Sequence, residues 1–192
     1  MIPVSLTIKN FMCYGDNVPT LYLEGIHVAC LCGQNGHGKS ALLDAVTWCL
    51  WGEARGKTQD DLISYGADEC RVELEFLTRD TPYRVIRSRT RAGGRRRQGV
   101  SDLQLQVLGS DGALAITGDH IRETQAKIEQ TIGMDYDAFI NSAFLLQGRA
   151  DEFTNKTPAD RKAVLSKILG LEAYDRIQER ARQRLDEGKS ST

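Results

Sequence analysis

Apolar and polar residues alternate at the start of the chain: Val4, Leu6 and Ile8 are interleaved with Ser5, Thr7 and Lys9. A period of two predicts a half-buried strand. Tyr14-Gly15-Asp16-Asn17 followed by Pro19 predicts a turn, and Leu21–Leu23 a second short strand. Ile26–Cys32 (IHVACLC) is apolar almost throughout, the pattern of a strand covered on both faces in a parallel sheet. The period then changes. Leu42, Ala45, Val46, Cys49 and Leu50 form a stripe at helical spacing, and Gly52 is placed to stop that helix.

Strand patterns return in the middle of the chain. Arg71–Phe76 alternates strictly, Tyr83–Ile86 is rich in β-formers after Pro82, and Leu103–Leu108 alternates before a Ser110-Asp111-Gly112 turn. These strands predict an antiparallel appendage to the first sheet. Thr117 to Ile132 is amphipathic, with Ile121, Ile128 and Ile132 in phase and Asp119 as the expected N-cap. Tyr136–Leu146 is mostly apolar and ends at Gln147-Gly148. From Pro158 a helix is expected, carrying Val164, Leu165, Ile168 and Leu169. Past Gly170 the helix becomes charged, with Leu171, Tyr174, Ile177, Ala181 and Leu185 as a sparse stripe, as at the root of a coiled coil.

Composition narrows the class. An apolar fraction of 41% can fill a core, and 27% charged residues is ordinary for a globular chain. With 25 basic and 26 acidic residues, any nucleic-acid surface must be local. The five cysteines form no CxxC pair that would suggest zinc. Three lie among apolar neighbours, which predicts buried, reduced thiols. No basic-then-apolar leader opens the chain and no apolar run approaches ~18 residues, so a cytoplasmic chain without a membrane span is expected.

The chemistry lies where the apolar run meets the helix. Gly33-Gln34-Asn35-Gly36-His37-Gly38-Lys39-Ser40 fits the pattern G-x-x-x-x-G-K-S, with a strand expected before it and a helix after it. Gly33, Gly36 and Gly38 let the backbone wrap closely and turn its N–H groups inward at the positive end of a helix. Lys39 supplies a charge toward the β- and γ-phosphates, and the Ser40 hydroxyl is suited to Mg²⁺. With Asn35 and Ala41 these residues form the candidate nucleotide-binding set. Hydrolysis also needs an apolar strand ending in a carboxylate. Asp80 and Asp111 follow polar residues and a turn instead, so the chain is expected to bind nucleotide without completing catalysis alone.

No acidic residue lies between Asp80 and Asp102, a stretch that holds Arg84, Arg87, Arg89, Arg91, Arg95, Arg96 and Arg97. Such an element suits phosphate contacts made without sequence reading, and Arg91, Arg95, Arg96 and Arg97 are the DNA-binding candidates. The bland alternative is a solvated hairpin. His27, His37 and His120 share no ligand spacing, and Trp48 and Trp51 read as core.

Asn10-Phe11, GQNGHGKSALLDA at 33–45, TWCLWGEAR at 47–55, FLLQGRADEF at 144–153 and PADRKAVLSKILGLEAYD at 158–175 together resemble the N-terminal ATPase half of SbcC. That family is the bacterial branch of the SMC-like DNA double-strand-break repair ATPases. The resemblance implies an α/β P-loop fold of the ABC head type, with an antiparallel sheet appendage, a helical lobe and a coiled-coil root. It implies boundaries near 1–170 for the head half, 171–187 for the coil and 188–192 for a tail. By the same resemblance, ATP and Mg²⁺ would be the cofactors, Gln147 would reach the Mg²⁺ and attacking water, and Ile63, Ser64 and Tyr65 would lie near the nucleoside. Met12 stands where many relatives carry an arginine that contacts the nucleotide. The implied partners are a C-terminal half bearing the signature motif and carboxylate strand, a second head, an SbcD-type nuclease at the coil root, and double-stranded DNA at the nucleoid. Two other readings compete: a complete small P-loop kinase or GTPase, and a DNA-binding module with a vestigial loop. The kinase needs a carboxylate strand or lid arginines, and a vestigial loop should have lost Lys39 or Ser40.

Overall fold

A computed structural model of the chain describes residues 1–93, 99–110, 112–142, 157–168, 177–178 and 181–182. It divides into two units, 1–132 and 133–192. The first is built on a six-stranded sheet of order β2-β1-β3-β4-β5-β6: β1 Ile2–Lys9, β2 Leu21–Tyr22, β3 Glu69–Thr78, β4 Thr81–Thr90, β5 Val100–Gly109 and β6 Gly112–Ala115. Every pairing is antiparallel. β6 is not apparent in the sequence; Gly-Ala-Leu-Ala carries no period and all four residues are exposed.

Alternation on β3 decides which face is covered. Cys70, Val72, Leu74 and Phe76 are fully buried, whereas the residues between them are not. Helices α1 (Lys39–Trp51) and α2 (Ile121–Ile132) pack against the sheet, α1 over β3 and β4 and α2 over β5. Trp48, with no exposed surface, packs against Phe11 with ring centroids 5.1 Å apart and the rings tilted by 33°. Burying side chains of this size stabilises by roughly 1.5–3 kcal/mol each. On β3's other register Glu75 lies opposite Arg84 and binds it at 2.6 Å.

The predicted stop of α1 is realised in detail. Gly52 takes φ 80° and its N–H returns to the Trp48 carbonyl at 2.8 Å. Two more carbonyls of that end are caught by side chains: Arg87 Nε donates to Cys49 O and Gln125 Nε2 to Leu50 O. The expected stripe on α1 is rotated. Asp44, Trp48 and Trp51 join Ala45, Cys49 and Leu50 in the buried set, while Leu42 and Val46 are only half-buried. On α2 Ile128 is buried, but Ile121 is 42% exposed. Asp119 is not the expected oxygen cap: its own N–H donates to the Glu123 carboxylate, and Thr124 Oγ1 accepts from Gly118.

One prediction fails outright. Ile26–Cys32 forms no strand, and Ile26, Val28 and Leu31 are 50%, 92% and 45% exposed. A strand covered on both faces needs hydrogen-bonding neighbours, and both sides of β1 are already taken by β2 and β3. The thiols follow suit. Cys49 is buried as predicted and Cys70, despite its charged neighbours in sequence, is buried too, while Cys13, Cys30 and Cys32 are exposed.

In the second unit, α3 (Tyr136–Ser142) packs with α4 (Pro158–Ile168). Asp135 Oδ1 accepts from the Ala138 N–H at the start of α3, and Thr157 Oγ1 from the Asp160 N–H at the start of α4. Leu165, placed on the apolar stripe by the sequence, is 46% exposed. Most of the predicted coil, and the 188–192 tail, lie outside the described residues.

Candidate functional site

The loop from Gly33 to Gly38 folds as its glycines permit. Gly33, Gly36 and Gly38 have φ of 150°, 85° and 85°, where an L side chain is strained. Gly38 is the N-cap of α1. It has no side chain to satisfy the helix's first N–H groups, which leaves a concentration of positive partial charge at that end. The Lys39 ammonium folds back over the loop, donating to the carbonyls of Gly33 at 2.6 Å and Gln34 at 2.8 Å. A cation is thus held within a ring of backbone, which suits an anion with several oxygens. Asn35 is exposed in the loop, Ser40 is half-buried on the first turn and Ala41 is buried beneath it. These residues fit a nucleotide triphosphate with its Mg²⁺: Lys39 and the loop amides would meet the phosphates, and the Ser40 hydroxyl would offer the metal an oxygen.

Two further segments wall the loop. Asn10 and Met12 adopt φ of 50° and 53°, unusual for non-glycine residues, and frame the buried Phe11. Phe11 bridges to Ile63, Met12 N–H donates to Leu62 O, and Ser64 N–H donates to Asn10 O. The Ser64 hydroxyl lies 2.8 and 2.7 Å from the Met12 and Tyr14 carbonyls and donates between them. Tyr14 then reaches the phosphate loop, its hydroxyl donating to Gly38 O at 3.0 Å. Burial pushes the Tyr14 phenol up, and neighbouring Cys13 adds to this, so it stays protonated and able to donate.

The predicted residues fare differently. Those of the loop converge. Ile63 is buried on Phe11, the Ser64 hydroxyl is engaged with backbone, and Tyr65 stands fully exposed. Gln147 lies outside the described residues, as do Arg95, Arg96 and Arg97. Among the described residues, the arginines of the cluster do not form one solvated positive element. Arg84 pairs with Glu75, Arg89 with Asp60 at 2.8 Å, and Arg87 is buried against the end of α1. Arg91 Nη2 donates to the Ile63 carbonyl at 3.4 Å. Strand alternation puts Arg84 on one face of β4 with Glu75 and Arg87 and Arg89 on the other, where the two lie at different positions along the strand and meet different partners.

Sequence reading misses one ion pair beside the loop. Asp44, buried on α1, accepts from Arg55 Nε at 2.8 Å and from Nη2 at 2.6 Å. That hydrogen bonding raises the Arg55 pKa further. A carboxylate on the buried side of a helix is the available signal. Gln59 is missed too, its side chain accepting from Trp48 Nε1 at 2.8 Å. Among the described residues no three His, Cys, Asp or Glu gather to hold a metal, and no helix is long and apolar enough to cross a membrane.

A glycine-wrapped loop feeding a helix N-terminus, beside an antiparallel sheet, defines a P-loop nucleoside-triphosphate-binding fold. A family model described as an AAA domain matches residues 5–191, and the chain belongs to that family. It is 30% identical over 177 residues to the DNA double-strand break repair Rad50 ATPase of Halobacterium salinarum, covering 92% of this chain and 19% of that protein. It is also 30% identical over 182 residues to the SbcC component of the nuclease SbcCD of Deinococcus radiodurans, covering 93% and 19%. The chain therefore spans under a fifth of either relative. A structure solved in work on ATP-driven dimerization and DNA stimulated activation of SMC ATPases matches 88% of this chain and 99% of its own, at TM-score 0.58 and 20% identity. The fold is shared with it.

Proposed function

We propose that the chain is the N-terminal, ATP-binding segment of an SMC-like DNA repair ATPase. Residues 1–170 are half of a head, 171–187 begin a coiled coil and 188–192 are a tail. With its C-terminal half it hydrolyses ATP to ADP and phosphate. Two heads closing on ATP control DNA end processing by a nuclease protein docked near the coil root, in the cytoplasm at the nucleoid. The observation that carries this is the uncovered apolar run entering the phosphate loop. Ile26, Val28 and Leu31 stand exposed beside a loop whose Lys39 is fully organised. Missing strands from a second polypeptide segment account for that exposure; a complete small kinase or GTPase would cover it itself.

In the completed head Lys39 and the loop amides hold the phosphates, Ser40 and Gln147 hold Mg²⁺, and Ile63–Tyr65 lie toward the nucleoside. Mg²⁺ held there would supply neutralisation of the phosphate charge. Arg91, Arg95, Arg96 and Arg97 contact the DNA backbone.

Calorimetry of ATP binding together with turnover tests the reading. The chain alone binds ATP, Lys39→Ala abolishes that binding, and hydrolysis appears only when the C-terminal half is added. ATP affinity unchanged in Lys39→Ala removes the phosphate-loop assignment. Full turnover by the chain alone removes the split head.

A further inference from the structure

We propose that Tyr14, held in place by Ser64, is a positioning residue that sets the orientation of the phosphate loop where it enters α1. The proposal rests on the ATP-binding reading above and adds residues from outside the loop.

The peptide between Gly38 and Lys39 is the point of control. A trans peptide is planar, and its C=O and N–H point in opposite directions. The Gly38 carbonyl is fixed from two sides: Leu42 N–H donates to it at 3.1 Å and the Tyr14 hydroxyl at 3.0 Å. Fixing that carbonyl aims the Lys39 N–H the other way, into the hollow of the loop where phosphate oxygens are expected. Gly38 itself offers no restraint, because a glycine at φ 85° with no side-chain cap turns freely. Beyond the helix's own bond from Leu42, restraint must come from outside, and the phenol supplies it.

Tyr14 can act this way only if its own backbone is fixed. The Ser64 hydroxyl sits between the Met12 and Tyr14 carbonyls, the Tyr14 N–H donates to Phe11 O, and Asn10 N–H closes the loop onto Gly15 O. Phe11, locked between Ile63 and Trp48, ties this loop to the core beneath α1. The positive φ values of Asn10 and Met12 are sustained by this set of contacts. The Cys13 sulfur and Tyr14 ring also leave no space on Gly38's side for a side chain: a Cβ there would fall 2.7 Å from Cys13 Sγ and 3.3 Å from the phenol. Ser64 thus acts on the phosphates through Tyr14, whatever else lies near the nucleoside.

The test is calorimetric titration of the 192-residue chain with Mg·ATP and, separately, with inorganic tripolyphosphate, which carries no nucleoside. Tyr14→Phe keeps the ring and removes only the hydroxyl; loss of one hydrogen bond is expected to weaken both ligands about fivefold. Ser64→Ala weakens both in the same sense, Ser64→Thr retains the hydroxyl and restores affinity, and Tyr14→Phe/Ser64→Ala loses less than the product of the single effects because both act through one contact. Lys39→Ala is measured alongside. If Lys39→Ala abolishes binding while Tyr14→Phe binds tripolyphosphate like the parent, the positioning role is refuted and the phosphate loop stands. If Tyr14→Phe lowers the melting temperature without changing either affinity, the residue is only structural and the proposal is again refuted. If Lys39→Ala changes nothing, the ATP-binding reading fails and takes this inference with it.

Discussion

Gly36 and Gly38 share a φ of 85° but have different surroundings, and alanine at each separates two costs. Forcing an L-residue into that region costs about 1–2 kcal/mol. At Gly36 nothing lies within 4 Å of an added Cβ, so Gly36→Ala bears that cost alone. At Gly38 the Cβ would meet Cys13 Sγ at 2.7 Å and the Tyr14 ring and hydroxyl at 3.3 Å. Overpacking of this kind adds about 1–3 kcal/mol, for about 2–5 kcal/mol in all. The loop is exposed and relaxes by leaving its folded path, so the cost appears as lost affinity more than lost fold. Since each 1.4 kcal/mol is tenfold, Gly36→Ala should bind ATP roughly tenfold more weakly and Gly38→Ala about thirtyfold to a few thousandfold more weakly. Cys13→Ala combined with Gly38→Ala removes the closest obstruction and should recover most of the difference, returning affinity to near the Gly36→Ala level. Calorimetric titration of these variants with ATP measures all the terms. Equal losses at Gly36 and Gly38, or no recovery on removing the Cys13 sulfur, would refute the reasoning.

Arg87→Ala leaves the Cys49 carbonyl and the Gln125 Oε1 without their donor in buried surroundings, at 3.1 and 2.7 Å. Burial depresses the guanidinium's pKa, so relief of its desolvation offsets part of the loss, and about 2–4 kcal/mol should be seen as a lower urea midpoint; under 1 kcal/mol would contradict the capping role. With an aromatic disulfide reagent at pH 8, Cys13, Cys30 and Cys32 should react at once. Cys49 and Cys70, whose thiols burial pushes up to about 12 and about 11, should react only on unfolding. Adding the C-terminal half should then protect Cys30 and Cys32, and continued labelling of both would count against that half covering this segment. Replacing Arg95, Arg96 and Arg97 with Ala should weaken DNA binding equally for all sequences and shrink the salt slope by about 3; an unchanged slope would make them a solvated tip.

Local rules determined a good deal on their own. The phosphate loop was legible because its requirement is local: glycines where φ is positive, then a lysine and a hydroxyl at the first turn of a helix. Strands β1, β3 and β5 were legible because each alternates in sequence, β4 because Tyr83–Ile86 is rich in β-formers, and the end of α1 because Gly52 takes the left-handed conformation its position demands. What the alternation left open was the identity of the partners. Seven arginines in one stretch read as a single positive element until strand geometry sent Arg84 to Glu75, Arg87 to the end of α1 and Arg89 to Asp60.

Tertiary structure decided the rest, since it depends on what stands beside a residue more than on what the residue is. Ile26–Cys32 has the composition of a buried strand, but burial needs neighbours, and among the described residues none pairs with it. Asp44 and Arg55 lie eleven positions apart and meet only because α1 ends and the chain turns back. The Tyr14–Gly38 contact joins residues 24 apart, and Ser64 reaches that loop from 50 further on. A periodicity fixes which side of an element is apolar; only the packed fold determines what covers that side, and which distant hydroxyl holds the loop in shape.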